Sequence, residues 1–300
     1  MLWLFAIILA YLLFAMVSLG DRFLLLGAPN PKVYVFYVGG LGILSCLLIP
    51  FVGFDIPPPG ALLLCFLGGL FYVGFLYLMY CALEKFEVSR IIPATGALVP
   101  LISLILIYFL SKDNSFWDLK SGAAFLLLVA GSVIVNSEFS KSFSLKTFKL
   151  AFVIAFLASL TFIFSKYAFL NMGFWPGFIW MRIFTFAIIL LFLFSGSVRK
   201  ELFGKKKSFT KNGLILFFVI QILGASAFIL QNWAIDLAGL SLLPVINALQ
   251  GVQYVFLFFL ALIVSLKFPQ AIRENITKKV IFQKILAIFL IAAGFIFLAS

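Results

Sequence analysis

Apolar runs recur along the whole chain, each of a length that crosses a bilayer as a helix, roughly 17–25 residues. They fall at about 2–20, 32–53, 60–83, 91–110, 120–136, 149–169, 175–195, 212–234, 241–266 and 281–299. The breaks between them hold turn-forming residues: Pro29-Asn30-Pro31, Pro57-Pro58-Pro59-Gly60, Lys112-Asp113-Asn114 and Gly173. All ten acidic residues lie in or beside these breaks. No segment alternates polar and apolar positions over about ten residues, as a transmembrane β-strand would. The pattern predicts an all-α integral membrane protein with ten transmembrane helices.

The longest central hydrophilic piece, Asn136 to Lys149, divides the runs five and five. The expected organisation is a first repeat over 1–136, a linker loop over 137–148 and a second repeat over 149–300. A weak echo joins the halves. Tyr80-Cys81-Ala82-Leu83-Glu84, with Ser89 and Pro93 after it, matches Asn232-Trp233-Ala234-Ile235-Asp236, with Ser241 and Pro244 after it. Arg22 and Pro31 similarly match Lys166 and Pro176. An odd number of spans per repeat forces the halves into opposite orientation. Inverted repeats of this kind are built around a midplane site in secondary transporters.

Composition narrows the chemistry. Of 300 residues, 65% are apolar and 11% charged, against about 25% charged in soluble domains. The chain has no His, which removes the commonest metal ligand and general base. Cys46, Cys65 and Cys81 sit inside apolar runs without CxxC spacing and read as small core residues. No cofactor, metal or catalytic role is expected, and the chain is not read as an enzyme. The N-terminus, apolar from the start, reads as a retained helix. The net charge of +12 sits in the short loops, a membrane-topology pattern that offers no face to nucleic acid.

These features resemble the drug/metabolite transporter superfamily, and within it the EamA type, which pairs two five-helix repeats in about 300 residues. The matching segments are 77–100, with Tyr77, Tyr80, Glu84, Ser89, Pro93 and Pro100, and 231–247, with Gln231, Asn232, Asp236, Ser241, Pro244 and Asn247. Lys166, Pro176 and Arg182 also follow the family's pattern across the first two helices of a repeat. The family often carries a Gly-Glu pair after the fourth helix of each repeat. Here only Asp113 and, in a longer basic segment, Glu274 stand nearby.

Loop charge and resemblance disagree about orientation. The loops after odd-numbered runs hold most of the Lys and Arg, among them Lys85, Arg90, Lys141, Lys146, Arg199, Lys205, Lys206, Lys207, Arg273 and Lys279. The loops after even-numbered runs hold only Lys112 and Lys120. The positive-inside rule therefore places both termini outside, whereas the resemblance implies both termini in the cytoplasm.

Polar groups inside hydrocarbon are costly and point to function. Arg182 lies mid-run; it reads as an anion-binding or gating residue, or as a structural cap on helix-end carbonyls. Lys166 lies near the end of its run and lines a cavity or snorkels to the interface. Gln221, Gly224, Phe228, Gln231 and Asn232 recur at helical spacing, as do Asn247, Gln250, Gly251 and Tyr254. Their amides suit a neutral or zwitterionic solute, or bond neighbouring helices. Tyr77 and Tyr80 line the cavity or belong to an interfacial aromatic belt. Pro93, Gly96, Pro100 and Ser103 form one stripe, which makes that helix a candidate gate or a static kink, with Pro244 in the matching place of the second half. Gly68, Gly69 and Gly74 read as close-packing positions.

No acidic residue lies deep in a run, and the first run, Leu2 to Gly20, has no Asp, Glu, Lys or Arg. The small multidrug resistance type, a relative, exchanges protons for cationic drugs through a Glu there, so that device is disfavoured. The leading expectation is a multi-pass protein of the cytoplasmic (inner) membrane, monomer or homodimer. It would move a small neutral, zwitterionic or anionic metabolite, such as an amino acid, by alternating access, with membrane lipid around it. The alternatives are a flippase for a lipid or lipid-linked sugar and, further off, a membrane-embedded lipid enzyme.

Overall fold

The computed structural model describes residues 2–24, 31–85, 88–110, 119–136, 145–202, 211–267 and 278–299. Among them every regular element is helical. An apolar chain of this kind satisfies its backbone N–H and C=O groups inside each segment, because hydrocarbon offers no partners. The helices are α1 (Leu2–Leu24), α2 (Pro31–Gly40), α3 (Ile49–Val52), α4 (Pro59–Lys85), α5 (Val88–Leu110), α6 (Leu119–Asn136) and α7 (Leu145–Met172). They continue as α8 (Phe174–Leu190), α9 (Gly196–Leu202), α10 (Lys211–Leu237), α11 (Leu243–Ala248), α12 (Gln250–Lys267) and α13 (Lys278–Ala299).

Seven segments are long and apolar enough to cross a membrane: Leu2–Gly20, Val35–Val52, Pro59–Ala82, Leu145–Met172, Phe174–Phe194, Ile215–Leu237 and Leu240–Val264. Three further apolar segments, Ala94–Leu110, Gly122–Ile134 and Phe282–Phe297, are shorter. Each of these segments overlaps one apolar run of the sequence. Large side chains such as Phe51, Phe109, Ile222 and Phe289 are exposed all around the helices, a surface that water would not tolerate and lipid would. The chain is, by length and composition of its helices, a multi-pass membrane protein.

Local sequence explains most of the breaks. Gly173 has φ 79°, a left-handed value that suits glycine. Its N–H bonds Phe169 O at 2.8 Å, ending α7, and Pro176 then sits in the first turn of α8, where a missing N–H costs nothing. Gly53, with φ 77°, ends α3 in the same way ahead of the Pro57-Pro58-Pro59 run. α7 starts at Leu145, ahead of the start expected at 149. The rest of the linker, 137–144, lies outside the described residues, as do Asp113 and Glu274.

Two helices change winding along their length. The α2 path tightens into a 3₁₀ helix over Leu41–Leu48, and α8 does so over Leu191–Phe194. The segment between α10 and α12 is discontinuous: a 3₁₀ turn at Leu240–Leu242, then α11, then an interruption at Leu249 before α12. All six residues of α11 are buried.

The helices pack in a recurring scheme. α1 lies against α10 and α12, α4 against α7 and α8, α5 against α7 and α11, and α6 against α13. Where α6 crosses α13, Gly131 sits so close to Ala287 O and Ile291 that an added Cβ would be 3.1 Å from the carbonyl. Gly294 sits in the same way against Ala124 O and Leu128, again 3.1 Å from the carbonyl. Small residues here let the backbones meet, the usual device when lipid removes the hydrophobic drive between helices. Gly69 does likewise for α4 and α8, with a Cβ position 3.0 Å from Thr185 N.

Candidate functional site

Arg182 is 4% exposed in the middle of α8. Its guanidinium carbon lies 4.4 Å from the centre of the Phe228 ring on α10, 4.6 Å from that of Tyr72 on α4 and 5.7 Å from that of Phe178. The three rings therefore surround the cation with π faces, an arrangement worth about 0.5–2 kcal/mol per good contact. Nε is buried and has no hydrogen-bond partner. Neither α7 nor α8 contains an Asp or Glu. The 3₁₀ stretch after α2 also comes close, since a Cβ on Gly42 would lie 3.2 Å from Arg182 Cδ and 3.8 Å from Nη1.

Lys166, on α7, is 3% exposed and points inward. Its Nζ donates to the backbone carbonyl of Asp236 at 2.6 Å. That carbonyl belongs to the last turn of α10, where helix carbonyls lack intrahelical donors and the dipole favours a cation. Lys166 is thus a lysine cap on a neighbouring helix, with the Asp236 carboxylate acting on it as well.

A second polar cluster lies one turn further along α10 from Phe228. Tyr11, on α1, is 1% exposed and its hydroxyl donates to Ile246 O at 2.8 Å, just before the interruption at Leu249. The Gln231 amide lies against the same hydroxyl, with Tyr254 nearby. Asn247 Nδ2 donates to Ser103 Oγ at 2.7 Å across the α5–α11 crossing. Beside it, where α5 meets α12, a Cβ on Gly96 would lie 3.1 Å from the Tyr254 hydroxyl. Gly96 is therefore the gap that accommodates Tyr254. Asn232 is buried but bonds back to Phe228 O on its own helix at 2.9 Å.

The structure brings together Gln231, Asn247, Tyr254, Gly96 and, through Phe228, Arg182. Others stand apart. Tyr77 is half-buried and meets the Phe192 ring at 5.7 Å, roughly 15 Å along the α8 direction from Arg182 at 1.5 Å per residue. Tyr80 is also half-buried, and Gln250 is half-buried at the start of α12. Pro100 is buried within α5, which stays helical through both Pro93 and Pro100. Pro244 is buried and opens α11, where proline is favoured. The side chains of Pro93 and Glu84 lie outside the described residues.

Sequence reasoning missed Tyr11, Tyr72 and Phe178. One signal existed for Tyr11: it is the only polar aromatic side chain in the first apolar run apart from Trp3. Tyr72 and Phe178 had none, in a chain with 40 Phe and 9 Tyr. Chemically, the arrangement offers one cation whose Nε–H has no partner and whose guanidinium also meets the Tyr72 hydroxyl, with aromatic walls and a hydroxyl–amide cluster beside it. It offers no nucleophile–base pair, and among the described residues no three His, Cys, Asp or Glu side chains converge as metal ligands would.

No family model matches the chain, and no curated protein matches it. Solved structures do match. One, described only as a crystal structure of protein, aligns over 97% of this chain and 97% of its own with a TM-score of 0.71 and 17% identity. That likeness establishes a shared fold along the full length.

Proposed function

We propose that this protein is a secondary transporter of small metabolites, of the EamA type, with ten spans in two inverted five-helix repeats. The three shorter apolar segments complete the ten. The observation that carries the reading is a reciprocity between the halves. Gly131 meets Ala287 and Ile291 while Gly294 meets Ala124 and Leu128. The partners Ala124 and Ala287, Leu128 and Ile291, Gly131 and Gly294 are separated by one constant interval. Likewise Gly96 meets Tyr254 while Asn247 meets Ser103, again at one constant interval.

Contacts of this form, in which i meets j and the equivalent of j meets the equivalent of i, are those of an isologous two-fold interface. In both crossings the low-numbered end of one helix meets the high-numbered end of the other. The paired helices are antiparallel, so the two-fold runs perpendicular to them, as an inverted repeat requires. Exchanging halves also turns the α1–α10 pairing into α7–α4 and matches the two 3₁₀ stretches. The discontinuous α11–α12 segment and the Arg182 surround lie between the halves, where transporters of this construction hold their solute.

Transport proceeds by rocking the halves around that site, in the cytoplasmic membrane, without covalent chemistry. The test is solute exchange in proteoliposomes holding the purified protein. Unaltered solute entering faster than into empty vesicles supports the reading. Lipid scrambling without solute uptake would replace it with a flippase.

A further inference from the structure

We infer that Arg182 binds the carboxylate group of the transported solute, an inference that rests on the transporter reading and narrows its substrate class. An arginine in the middle of an apolar, membrane-length helix is costly to insert, and such cations normally face a partner. Lys166 has one, since it caps α10 and feels Asp236. Among the described residues Arg182 has no carboxylate beside it: it meets ring faces and the neutral Tyr72 hydroxyl, and its buried Nε bonds nothing. A buried donor without an acceptor is itself destabilising. The positive charge and the empty donor are both relieved by one incoming anion.

The geometry selects the kind of anion. Tyr72 and Phe228 stand 4.6 Å and 4.4 Å from the guanidinium carbon, with Phe178 at 5.7 Å. They crowd the guanidinium with ring faces, and the donor left without a partner for a ligand is the buried Nε–H. In-plane, two-pronged bonding is how guanidinium and carboxylate pair. Only one uncompensated cation stands here, which matches a single negative charge; a dianion would bring a second charge into an aromatic-walled space with nothing to offset it. A cationic solute is repelled. The solute's uncharged body then lies toward Gln231, Tyr11 and Tyr254, one turn away on and beside α10.

Gly42 provides a way to perturb the site while keeping its charge. It belongs to the 3₁₀ stretch Leu41–Leu48, in which no residue is buried, and its hypothetical Cβ comes 3.2 Å from Arg182 Cδ. A valine there crowds the guanidinium in a segment that can absorb the change.

The experiment measures binding to the purified full-length protein by thermal shift. The ligands are acetate, butyrate, phenylacetate and phenylalanine, each against its amide, with inorganic phosphate as a further probe. At least one acid should bind the wild type roughly 10–100-fold more tightly than its amide, the range expected for a hydrogen bond to a charged group. Arg182→Gln should erase that preference, and Gly42→Val, which crowds the guanidinium, should narrow it. Equal binding of acid and amide, no response to any acid, a response to phosphate alone, or an acid preference that survives Arg182→Gln would each overturn the assignment. Should Arg182→Gln fail to fold, the wild-type acid–amide comparison and Gly42→Val decide. Uptake of neutral solutes without acid preference would sink the carboxylate site and leave transport standing, whereas no uptake of any solute would sink the transport reading itself.

Discussion

Two cations lie buried in adjacent helices, and they meet opposite surroundings. Lys166 ends on the carbonyl of Asp236, at a helix terminus that calls for a positive charge. Arg182 ends among Tyr72, Phe178 and Phe228 with Nε unpaired. Both read alike in the sequence, as basic residues in apolar runs. Burial alone therefore does not mark a functional cation; what matters is whether the fold has already supplied its partner. Lys166 has its partner within the fold, whereas the Nε of Arg182 has none.

The sharpest way to break that contrast is a pair of substitutions with opposite consequences. Arg182→Gln should lower carboxylate uptake in proteoliposomes at least about 10-fold, with little loss of thermal stability, because losing the cation–π contacts is offset by removing a buried charge. Lys166→Met should instead lower stability by about 1–3 kcal/mol, since Asp236 O loses its donor, and the folded fraction should keep its acid preference. If Lys166→Met abolished the acid preference while Arg182→Gln only destabilised, the two roles would be reversed.

Smaller effects test the crossing beside the site. Gly96→Ala should cost about 1–3 kcal/mol, as the new methyl group meets the Tyr254 hydroxyl. The reciprocal contact can be measured by a double-mutant cycle on Ser103→Ala and Asn247→Ala. Its coupling should fall near the 0.6 kcal/mol average for hydrogen bonds between membrane helices, and below about 1.7 kcal/mol. Tyr11→Phe, which removes the donor to Ile246 O, should cost about 0.5–1.5 kcal/mol and loosen the helix at Leu249, read as faster amide exchange in α11.

Much of the fold was legible because hydrocarbon imposes a simple rule: long apolar runs become helices. Arg182 and Lys166 were legible as polar groups in an apolar setting, as were Gln231, Asn247 and Tyr254. What sequence could not supply was long-range pairing. Tyr11 finds Ile246 across 235 positions, and nothing near either residue announces the other. Tyr72 faces Arg182 while Tyr77, on the same helix, faces Phe192, because five residues turn a helix well past one revolution. The interruption at Leu249 was equally hidden. Pro93 and Pro100 made α5 a candidate gate or a static kink; α5 is helical through both, and the interruption falls at Leu249, after the short α11 that Pro244 opens.

The central claim is that the space between the halves opens to each side of the membrane in turn. A single cysteine at Phe228, introduced as Phe228→Cys after Cys46, Cys65 and Cys81 are replaced by alanine, tests it through labelling with a membrane-impermeant maleimide added from one side or the other of oriented vesicles. The account predicts labelling from both sides, slowed by a transported carboxylate. Labelling from one side only, with or without solute, would contradict it.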